Sequence, residues 1–285
     1  MRNSAVILAA VLVAIAASYT TVKMTAPQKL AEEKRETTFE RVIRTNTLRC
    51  GYIPLKTLLD KDANTGKLGG ISYDVIEQMA QNLGLKVEWV AESGFVSMSE
   101  DLDRGRFDMI CNPLMPSAKR ARALDFSRIL FMRPATLWVH KDNLHTGEDL
   151  LWVNDPNVSF SFIDGIVFDP IIRRKFPKAK IISLPETTDH LHQLVDVMTG
   201  KTTATVNIDY DGREFIKANG DVIKPASSTP IAHIFYAFPL PKGDYEFKAM
   251  IDMALDEMVY NDTLESIIAA HDTVPSSYVR LKTIY

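Results

Sequence analysis

The stretch "ISYDVIEQMAQNLGLKVEWV", residues 71–90, contains the change of pattern that decides the fold class of this chain. Its first part repeats apolar residues three or four positions apart, which is the spacing of one helix face. These residues are Val75, Ile76, Met79, Ala80 and Leu83. Ser72 is the predicted N-cap, Gly84 ends the predicted helix, and the segment 85–90 predicts a strand.

The same alternation of strands and helices extends outward from this stretch. Further strands are predicted at 47–53, 106–111, 157–162, 179–184 and 203–208, and further helices near 97–104, 166–175, 187–199 and 211–219. Repeated β–α units predict an α/β fold of parallel sheets with helices on both faces. The units form two blocks, which predicts two lobes with a ligand beyond the carboxyl ends of the strands.

The segment 231–272 differs from both blocks, because a long strand leads into an amphipathic helix. The predicted buried stripe of this helix consists of Phe247, Met250, Ile251, Ala254, Leu255, Met258 and Val259. Its place after the second block predicts that the chain returns to the first lobe. Lobe 1 is therefore predicted to contain 38–136 and 234–285, and lobe 2 to contain 137–233.

The amino terminus has the features of an exported protein. A positive charge precedes an uncharged run of 18 residues (5–22), and Ala14 and Ala16 fit the pattern that export peptidases cut. The run is also long enough for a membrane-spanning helix. Residues 1–22 are therefore predicted to be a cleaved signal peptide or an inner-membrane anchor, and 23–37 a polar linker. Both interpretations place the folded body in the periplasm or otherwise outside the cytoplasm.

The charge balance argues against a nucleic-acid partner. Lys and Arg total 33 against 36 Asp and Glu, a net charge of −3, whereas a nucleic-acid-binding face normally has a basic excess. A local basic cluster of Lys119, Arg120 and Arg122 lies in "CNPLMPSAKRARALDFS" (111–127). This cluster indicates either a solvated helix face or one arginine directed at a small anion.

The residues predict no cofactor, no metal site and no catalytic group. The sequence lacks the G-x-x-x-x-G-K-[ST] loop and the G-x-S-x-G motif. His190 and His192 are two apart on a predicted helix, so they face different sides. Cys50 and Cys111 are too few for a disulfide framework or a zinc site, and they predict two buried thiols or a single bridge.

Six stretches carry a likeness that no single motif would establish. They are "LRCGYI" (48–53), "GKLGGISYDVIEQMAQNLGLKVEWV" (66–90), "LDRGRFDMI" (102–110), "PSAKRARALDFS" (116–127), "FPKAKIISLPETTDHLHQLVDVMTGK" (176–201) and "PLPKGDYEFKAMIDMALDEMVYNDTLESI" (239–267). In order and spacing they resemble the extracytoplasmic solute-binding proteins of polar amino-acid ABC transporters, over residues 38–272. The resemblance implies a type II periplasmic-binding-protein fold with two hinge strands, near 134–140 and 231–238. It also implies a small solute as ligand and membrane permease subunits as partners.

The resemblance assigns the basic cluster a role in binding. Ser117, Arg120 and "LDFS" (124–127) fit a family motif in which the arginine binds the carboxylate of the solute. The physical chemistry agrees, because a guanidinium fork binds a carboxylate bidentately and helix N-terminal amides add positive charge. Lys119 and Arg122 face other directions on a helix, so they are predicted to be solvated or to line the rim.

Two further positions fit the family's ligand contacts. Phe95 falls where an aromatic ring of the first lobe packs on the ligand, although a core phenylalanine is the alternative. Asp209, or else Asp211, corresponds to the acidic residue that holds a ligand amino group. A helix N-cap fits Asp209 equally well.

The pocket implied by the resemblance is less polar than that of a standard amino-acid binder. Pro113 and Met115 stand where the family has Gly and Thr, and Ile166 and Val167 replace hydroxyl-bearing residues. Tyr52 remains from the usual pair of aromatic residues after the first strand. The expected ligand is therefore an amino acid or a related carboxylate with an apolar body.

The resemblance also bears on the cysteines and on the range of functions. It places the first and third strands of lobe 1 side by side, which implies that Cys50 and Cys111 are close and leaves their oxidation open. Three function classes follow: a transport receptor, a membrane-tethered sensory module, and a dehydratase-like enzyme acting on a carboxylate.

Overall fold

A computed structural model of the chain describes residues 35–55, 58–145, 149–272 and 277–279. The predicted signal peptide or anchor at 1–22 lies outside the described residues, as does the linker apart from 35–37. The folded body begins at Thr38. Among the described residues, every helix is too short or too polar to cross a membrane.

The first sheet consists of three parallel strands near the start of the folded body. The elements, in chain order, are α1 (Thr38–Thr45), β1 (Thr47–Tyr52), β2 (Asp60–Lys61), β3 (Leu68–Gly69), α2 (Ile71–Asn82), β4 (Lys86–Glu92), α3 (Met98–Asp103) and β5 (Met109–Ile110). β1 lies between β4 and β5, and both neighbours run parallel to it. The helix-to-strand stretch that opened the sequence is therefore the α2–β4 crossover, as predicted.

The start of α2 differs from the sequence prediction in one respect. The helix begins at Ile71 after Gly70, whose φ of 100° is open to glycine. A Cβ on Gly70 would lie 2.8 Å from the carbonyl oxygen of Leu58. The backbone N–H of Ser72 donates to that same carbonyl at 2.9 Å, and the Ser72 side chain is buried. The predicted Ser72 cap was wrong, because a tertiary contact rather than a side-chain hydroxyl satisfies this helix end.

The second sheet is larger and mixed in direction. The next element is β6 (Asp125–Phe126), which pairs with residues 239–240 outside this sheet. The sheet and its helices follow in chain order: β7 (Phe131–His140), β8 (Ser159–Ile163), α4 (Phe168–Lys175), β9 (Lys180–Leu184), α5 (His192–Met198), β10 (Ala204–Ile208), α6 (Asp209–Asn219), β11 (Ile223–Pro225) and β12 (Ala232–Tyr236). The strand order is β11-β7-β10-β8-β9, with β12 also paired to β7. β8 runs parallel to β9 and β10, whereas β7 runs antiparallel to β10, β11 and β12. Parallel pairing of the β–α units is therefore confirmed, and β7, which contains the predicted hinge strand near 134–140, is antiparallel to its neighbours.

Two long strands connect the two halves of the folded body. β7 and β12 pair from Ala135 opposite Ala232 to Phe131 opposite Tyr236. The chain then continues through β13 (Pro239–Leu240), α7 (Tyr245–Tyr260) and α8 (Thr263–His271), and α7 and α8 pack against α2. The lobe boundaries at 136/137 and 233/234 remain predictions.

Residues 277–279, near the carboxyl terminus, form a short segment that also pairs with β7. Val279 and Met132 exchange two backbone hydrogen bonds, of 2.7 and 3.0 Å. Tyr278 is buried and meets the ring of Phe131 edge-on at 4.9 Å between centroids. The end of the described chain is thus fixed to β7.

A disulfide joins Cys50 in β1 to Cys111, the residue after β5. The two Cα atoms are 5.4 Å apart, and both cysteines are fully buried. The predicted proximity of the two residues is confirmed, and the oxidation that the sequence left open is present. The bridge fixes the start of the loop that carries the basic cluster.

Candidate functional site

Loops from the carboxyl ends of several strands meet at one place, as expected for this sheet topology. The loop after β5 carries Lys119, the loop after β8 carries Gly165, and the loop after β9 carries Glu186. A Cβ on Gly165 would lie 3.0 Å from Glu186 Oε1 and 3.1 Å from Lys119 Nζ. These three loops therefore form the floor and rim of a common site.

The Arg120 side chain is held by its own loop. Arg120–Arg122 forms one turn of 3₁₀ helix, and the Ser117 hydroxyl accepts a hydrogen bond from the Arg120 backbone N–H at 3.2 Å. The Arg120 Nη1 donates to the carbonyl oxygen of Met115 at 2.9 Å. Three of the predicted site residues thus form one local unit, which fixes the direction of the guanidinium.

Phe95 lies beside this guanidinium. The ring centroid is 6.0 Å from the Arg120 Cζ, a distance at which a cation and an aromatic face attract each other. The Phe95 side chain is 44% exposed, so it is not a core phenylalanine. The structure therefore brings together two residues that the sequence assigned separately to ligand contact.

The electrostatic setting of Arg120 suits an anion. Burial lowers the pKa of the guanidinium, while Glu186 and Tyr236 act in the opposite direction. An arginine remains protonated at physiological pH despite such shifts. Within the described part of the chain Arg120 makes no ion pair. A half-buried cation in this state can bind a carboxylate without first breaking an internal salt bridge.

The neighbouring Lys119 forms an ion pair with Glu186. The two side chains are 70% and 46% exposed, which places the pair at the rim of the site. The hydrogen bond from Lys119 lowers the pKa of the Glu186 carboxyl. Arg122 is exposed on the far side of the turn. The structure thus separates the basic cluster into one inward arginine and two peripheral cations.

Asp209 occupies the first position of α6 and its carboxylate already has partners. One oxygen accepts from the Thr136 hydroxyl at 3.0 Å, and the other accepts from Arg213 one turn later. A carboxylate in the first turn is favoured by the helix dipole. The N-cap alternative for Asp209 is wrong, because Ile208 is the N-cap residue and Asp209 is the first residue of the helix, with no side-chain cap hydrogen bond. The helix begins two residues earlier than predicted because Asp209 joins its first turn.

Asp211 faces a different environment. Its side chain is 11% exposed, and one carboxylate oxygen is 4.0 Å from Nη2 of Arg133 in β7. Burial raises the pKa of the Asp211 carboxyl, while Arg133 and His190 lower it. The next residue, Gly212, lies against the Trp138 ring of β7. A Cβ at position 212 would come within 2.1 Å of that ring, so glycine lets α6 pack this close to β7.

Tyr52 and Val167 have contacts other than Arg120. Tyr52 is buried at the end of β1, where its ring meets Trp89 and its hydroxyl accepts from Lys61 Nζ at 3.4 Å. Val167 is half-buried and packs against the main core at the start of α4. The Met115 side chain also packs against that core, and Met115 contacts Arg120 through its backbone carbonyl oxygen.

Sequence reasoning missed a second arginine near the site. Arg133 is 1% exposed in the middle of β7, and the rings of Tyr210, Tyr236 and Tyr278 surround its guanidinium. The available signal was a single arginine inside the apolar strand sequence "FMRPATLWV". In the described ranges, no group of three His, Cys, Asp or Glu residues could hold a metal ion.

Comparison with known sequences identifies relatives over most of the folded body. The family model of the bacterial extracellular solute-binding proteins, family 3, matches residues 49–271. A probable amino-acid-binding protein, YxeM of Bacillus subtilis, is 28% identical over 206 residues, which is 71% of this chain and 75% of that protein. Cyclohexadienyl dehydratase of Pseudomonas aeruginosa is 22% identical over 227 residues, covering 78% of this chain and 81% of the enzyme.

Comparison with solved structures gives the same architecture. The crystal structure of the ancestral amino acid-binding protein AncCDT-1, a precursor of cyclohexadienyl dehydratase, superposes with a TM-score of 0.65 at 24% identity. The match covers 82% of this chain and 98% of that one. At this identity the likeness shows the fold, which is the predicted α/β architecture of two lobes joined by two strands.

Proposed function

The chain belongs to the bacterial extracellular solute-binding proteins, family 3, and on that premise we propose that it is a transport receptor. It captures a small carboxylate-bearing solute, an amino acid or a related organic acid, outside the cytoplasm. Closure of the two lobes around the solute creates the surface that an ABC-type permease receives. The family membership that the sequence predicted is confirmed. The assignment of individual residues to solute binding is our proposal.

The Arg120 unit is the observation that carries this proposal. Its guanidinium is half-buried, held by the Met115 carbonyl and flanked by the Phe95 ring, while the Ser117 hydroxyl accepts from the Arg120 backbone N–H. A positioned cation beside an aromatic face matches a solute with one carboxylate and an apolar body. Because the side chain is already oriented, little rotamer entropy is lost when the carboxylate binds.

Closure follows from the placement of the contacts on either side of β7 and β12. Arg120 lies before β7 in the chain, whereas Gly165 and Glu186 lie between the two connecting strands. A solute favours the closed state through contacts that exist in that state alone. For an amino acid, Glu186 is the acid best placed to receive the ammonium group, in competition with Lys119. Asp209 is less suitable, because Thr136 and Arg213 already occupy its oxygens.

The amino terminus bears on how the receptor is retained. The apolar run at 5–22 and the Ala14 and Ala16 pair support export of the folded body. An uncleaved run would tether the receptor to the inner membrane, with 23–37 as the linker. N-terminal sequencing of the native protein separates the two forms, since the cleaved form begins near Ala17.

The first test is the identity of the bound solute. Native mass spectrometry of the purified protein, followed by denaturation and analysis of the released molecule, is expected to find an acid. Calorimetry then compares wild type with Arg120→Ala and, as a matched control from the same turn, Arg122→Ala. We expect Arg120→Ala alone to lose affinity. Equal binding by the Arg120 variant would refute the carboxylate-binding role.

A second candidate function is favoured by one observation at Asp211. A dehydratase needs a general acid in its site, and Asp211 is a buried carboxyl 4.0 Å from Arg133, with its pKa raised by burial and lowered by Arg133 and His190. One relative named above is a dehydratase, so the prediction that the chain is not an enzyme stays open. Incubation with hydroxylated cyclohexadienyl acids and product analysis by mass spectrometry tests this candidate. Turnover that Asp211→Asn abolishes would favour the enzyme, and recovery of unchanged acid would favour the receptor.

A further inference from the structure

Arg133 is a buried cation whose surroundings are aromatic. Its guanidinium carbon lies 5.2 Å from the ring centroid of Tyr210, 5.3 Å from Tyr278 and 5.8 Å from Tyr236. The residue is 1% exposed, and three separate parts of the chain supply the rings. The faces of such rings attract the positive charge, and the Tyr236 hydroxyl is also a hydrogen-bond partner of the guanidinium.

One edge of this guanidinium has no hydrogen-bond acceptor. Nε and Nη2 are buried and unpaired within the described residues. These two nitrogens lie on the same side of the planar group, and this edge can hold both oxygens of a carboxylate. A buried charged donor without an acceptor is strongly unfavourable, so this edge is expected to receive an anion or water.

Asp211 is the nearest acid, and its position does not satisfy the edge. Its carboxylate oxygen is 4.0 Å from Nη2, which is beyond hydrogen-bond distance. Burial lowers the pKa of Arg133, whereas Asp211, Tyr236 and Tyr278 raise it. The guanidinium therefore remains charged. Burial also raises the pKa of Asp211, which favours its neutral form and weakens its competition with another anion.

The phenol of Tyr236 connects this edge with the Arg120 unit. It is close enough to both guanidinium groups to raise the pKa of each. Tyr236 ends β12, and Arg133 lies in β7 opposite Ile234, two residues earlier in β12. Arg133 and Tyr236 therefore lie on the paired strands β7 and β12, and Tyr236 contributes to the electrostatic setting of both arginines.

We propose that the Nε and Nη2 edge of Arg133 binds a second anionic group of the solute, so that the solute is a dicarboxylate. This inference rests on the proposed function, in which Arg120 binds the first carboxylate. The Phe95 ring beside Arg120 and the tyrosine rings around Arg133 fit a hydrocarbon segment between the two charged ends. The expected class is therefore a linear or branched dicarboxylic acid, with or without an amino group.

Calorimetry on wild-type protein tests the inference without any variant. The probes are the linear dicarboxylates from succinate to pimelate, each beside its own monoamide, together with glutamate beside glutamine and aspartate beside asparagine. The members of a pair have the same shape and differ by one negative charge. We expect at least one diacid to bind ~10-fold or more tightly than its monoamide, as expected for a charged hydrogen-bonded pair. Equal affinities throughout the panel, or a co-purified solute with one acidic group, would overturn the inference.

Two substitutions then assign the preference to Arg133. Arg133→Gln keeps a donor but removes the charge, and Arg133→Lys keeps the charge but removes the planar fork. We expect both to lower diacid affinity more than monoamide affinity, so that the preference for the diacid is lost, with folding checked by circular dichroism. A preference that survives in both variants would overturn the inference. The proposed function is judged separately, by whether Arg120→Ala abolishes binding of diacid and monoamide alike.

Discussion

The turn around Arg120 and the strand around Arg133 use the same side chain in opposite ways. Arg120 is half-buried and held by groups three and five residues away in sequence, the Ser117 hydroxyl and the Met115 carbonyl. Arg133 is almost fully buried, and its neighbours Tyr210, Asp211, Tyr236 and Tyr278 come from remote segments. The turn is therefore a local device attached to the fold, whereas the strand cluster exists only once the fold has formed.

This difference explains why the family resemblance singled out Arg120 as a candidate ligand contact, whereas no sequence pattern singled out Arg133. The Ser117-to-Arg120 spacing is visible in a few consecutive letters, and local spacing is what sequence patterns report. The partners of Arg133 are assembled by β7, β12, α6 and the carboxyl-terminal residues 277–279. A lone arginine in an apolar strand was the sole trace of that assembly.

The largest expected effect concerns the anchor of the Arg120 loop. The Cys50–Cys111 disulfide closes a loop of 61 residues, so its removal is expected to lower the free energy of unfolding by about 4 kcal/mol. β7, held by hydrogen bonds to its neighbouring strands, has no such covalent support. Urea unfolding of wild type with and without reductant measures the effect, and the Cys50→Ala/Cys111→Ala double variant is the reductant-insensitive control. Two free thiols in the unfolded, unreduced protein would contradict the bridge.

The next effect is on solute affinity at the turn. Arg120→Ala removes a charged contact that closure desolvates, which is expected to cost roughly 2–5 kcal/mol, or about 30-fold to several thousand-fold in affinity. Arg120→Lys is expected to fail substantially as well, because an ammonium cannot reproduce the planar fork. Calorimetry with the co-purified solute provides the measurement. Arg122→Ala should match wild type, and a loss there as large as at Arg120 would show that the turn itself had been damaged.

In the ligand-free protein, we expect replacement of Arg133 to raise the free energy of unfolding. Arg133→Met removes two buried donors without acceptors, so we expect the ligand-free protein to gain about 1–3 kcal/mol in unfolding free energy. Arg120→Met, made at the half-buried turn, should change this quantity little. Urea unfolding after removal of solute compares the two variants. A loss of stability in Arg133→Met would show that this guanidinium is well paired without a ligand, and would remove the contrast between the regions.

The smallest effect is expected at the rim. The Lys119–Glu186 pair is largely exposed, and exposed ion pairs contribute little. Lys119→Ala should therefore change solute affinity by less than about fivefold, and the change should shrink further at high salt. Titration at two salt concentrations checks this. An effect comparable to that of Arg120→Ala would move Lys119 from the rim into the binding site.

Most of the fold was accessible from the sequence, and the exceptions share a cause. The face of α2 and the buried stripe of α7 follow from apolar spacing alone, and both were predicted. The helix predicted at 187–199 begins only at His192, because an Asp189 side-chain oxygen accepts from the Leu191 N–H and forms a turn first. The cap at Ser72 and the antiparallel direction of β7 depend on contacts with distant residues. Periodicity carries no record of such contacts.

The attachment of Val279 to Met132 matters for anyone who labels or fuses this protein. Two backbone hydrogen bonds fasten the last described residues to β7, and Tyr278 lies against Phe131 and Arg133. A dye attached at residue 279 would thus be mechanically linked to β7, one of the two strands that connect the halves of the folded body. Position 279 is a natural place to build an optical sensor for the solute, and a poor place for an affinity tag.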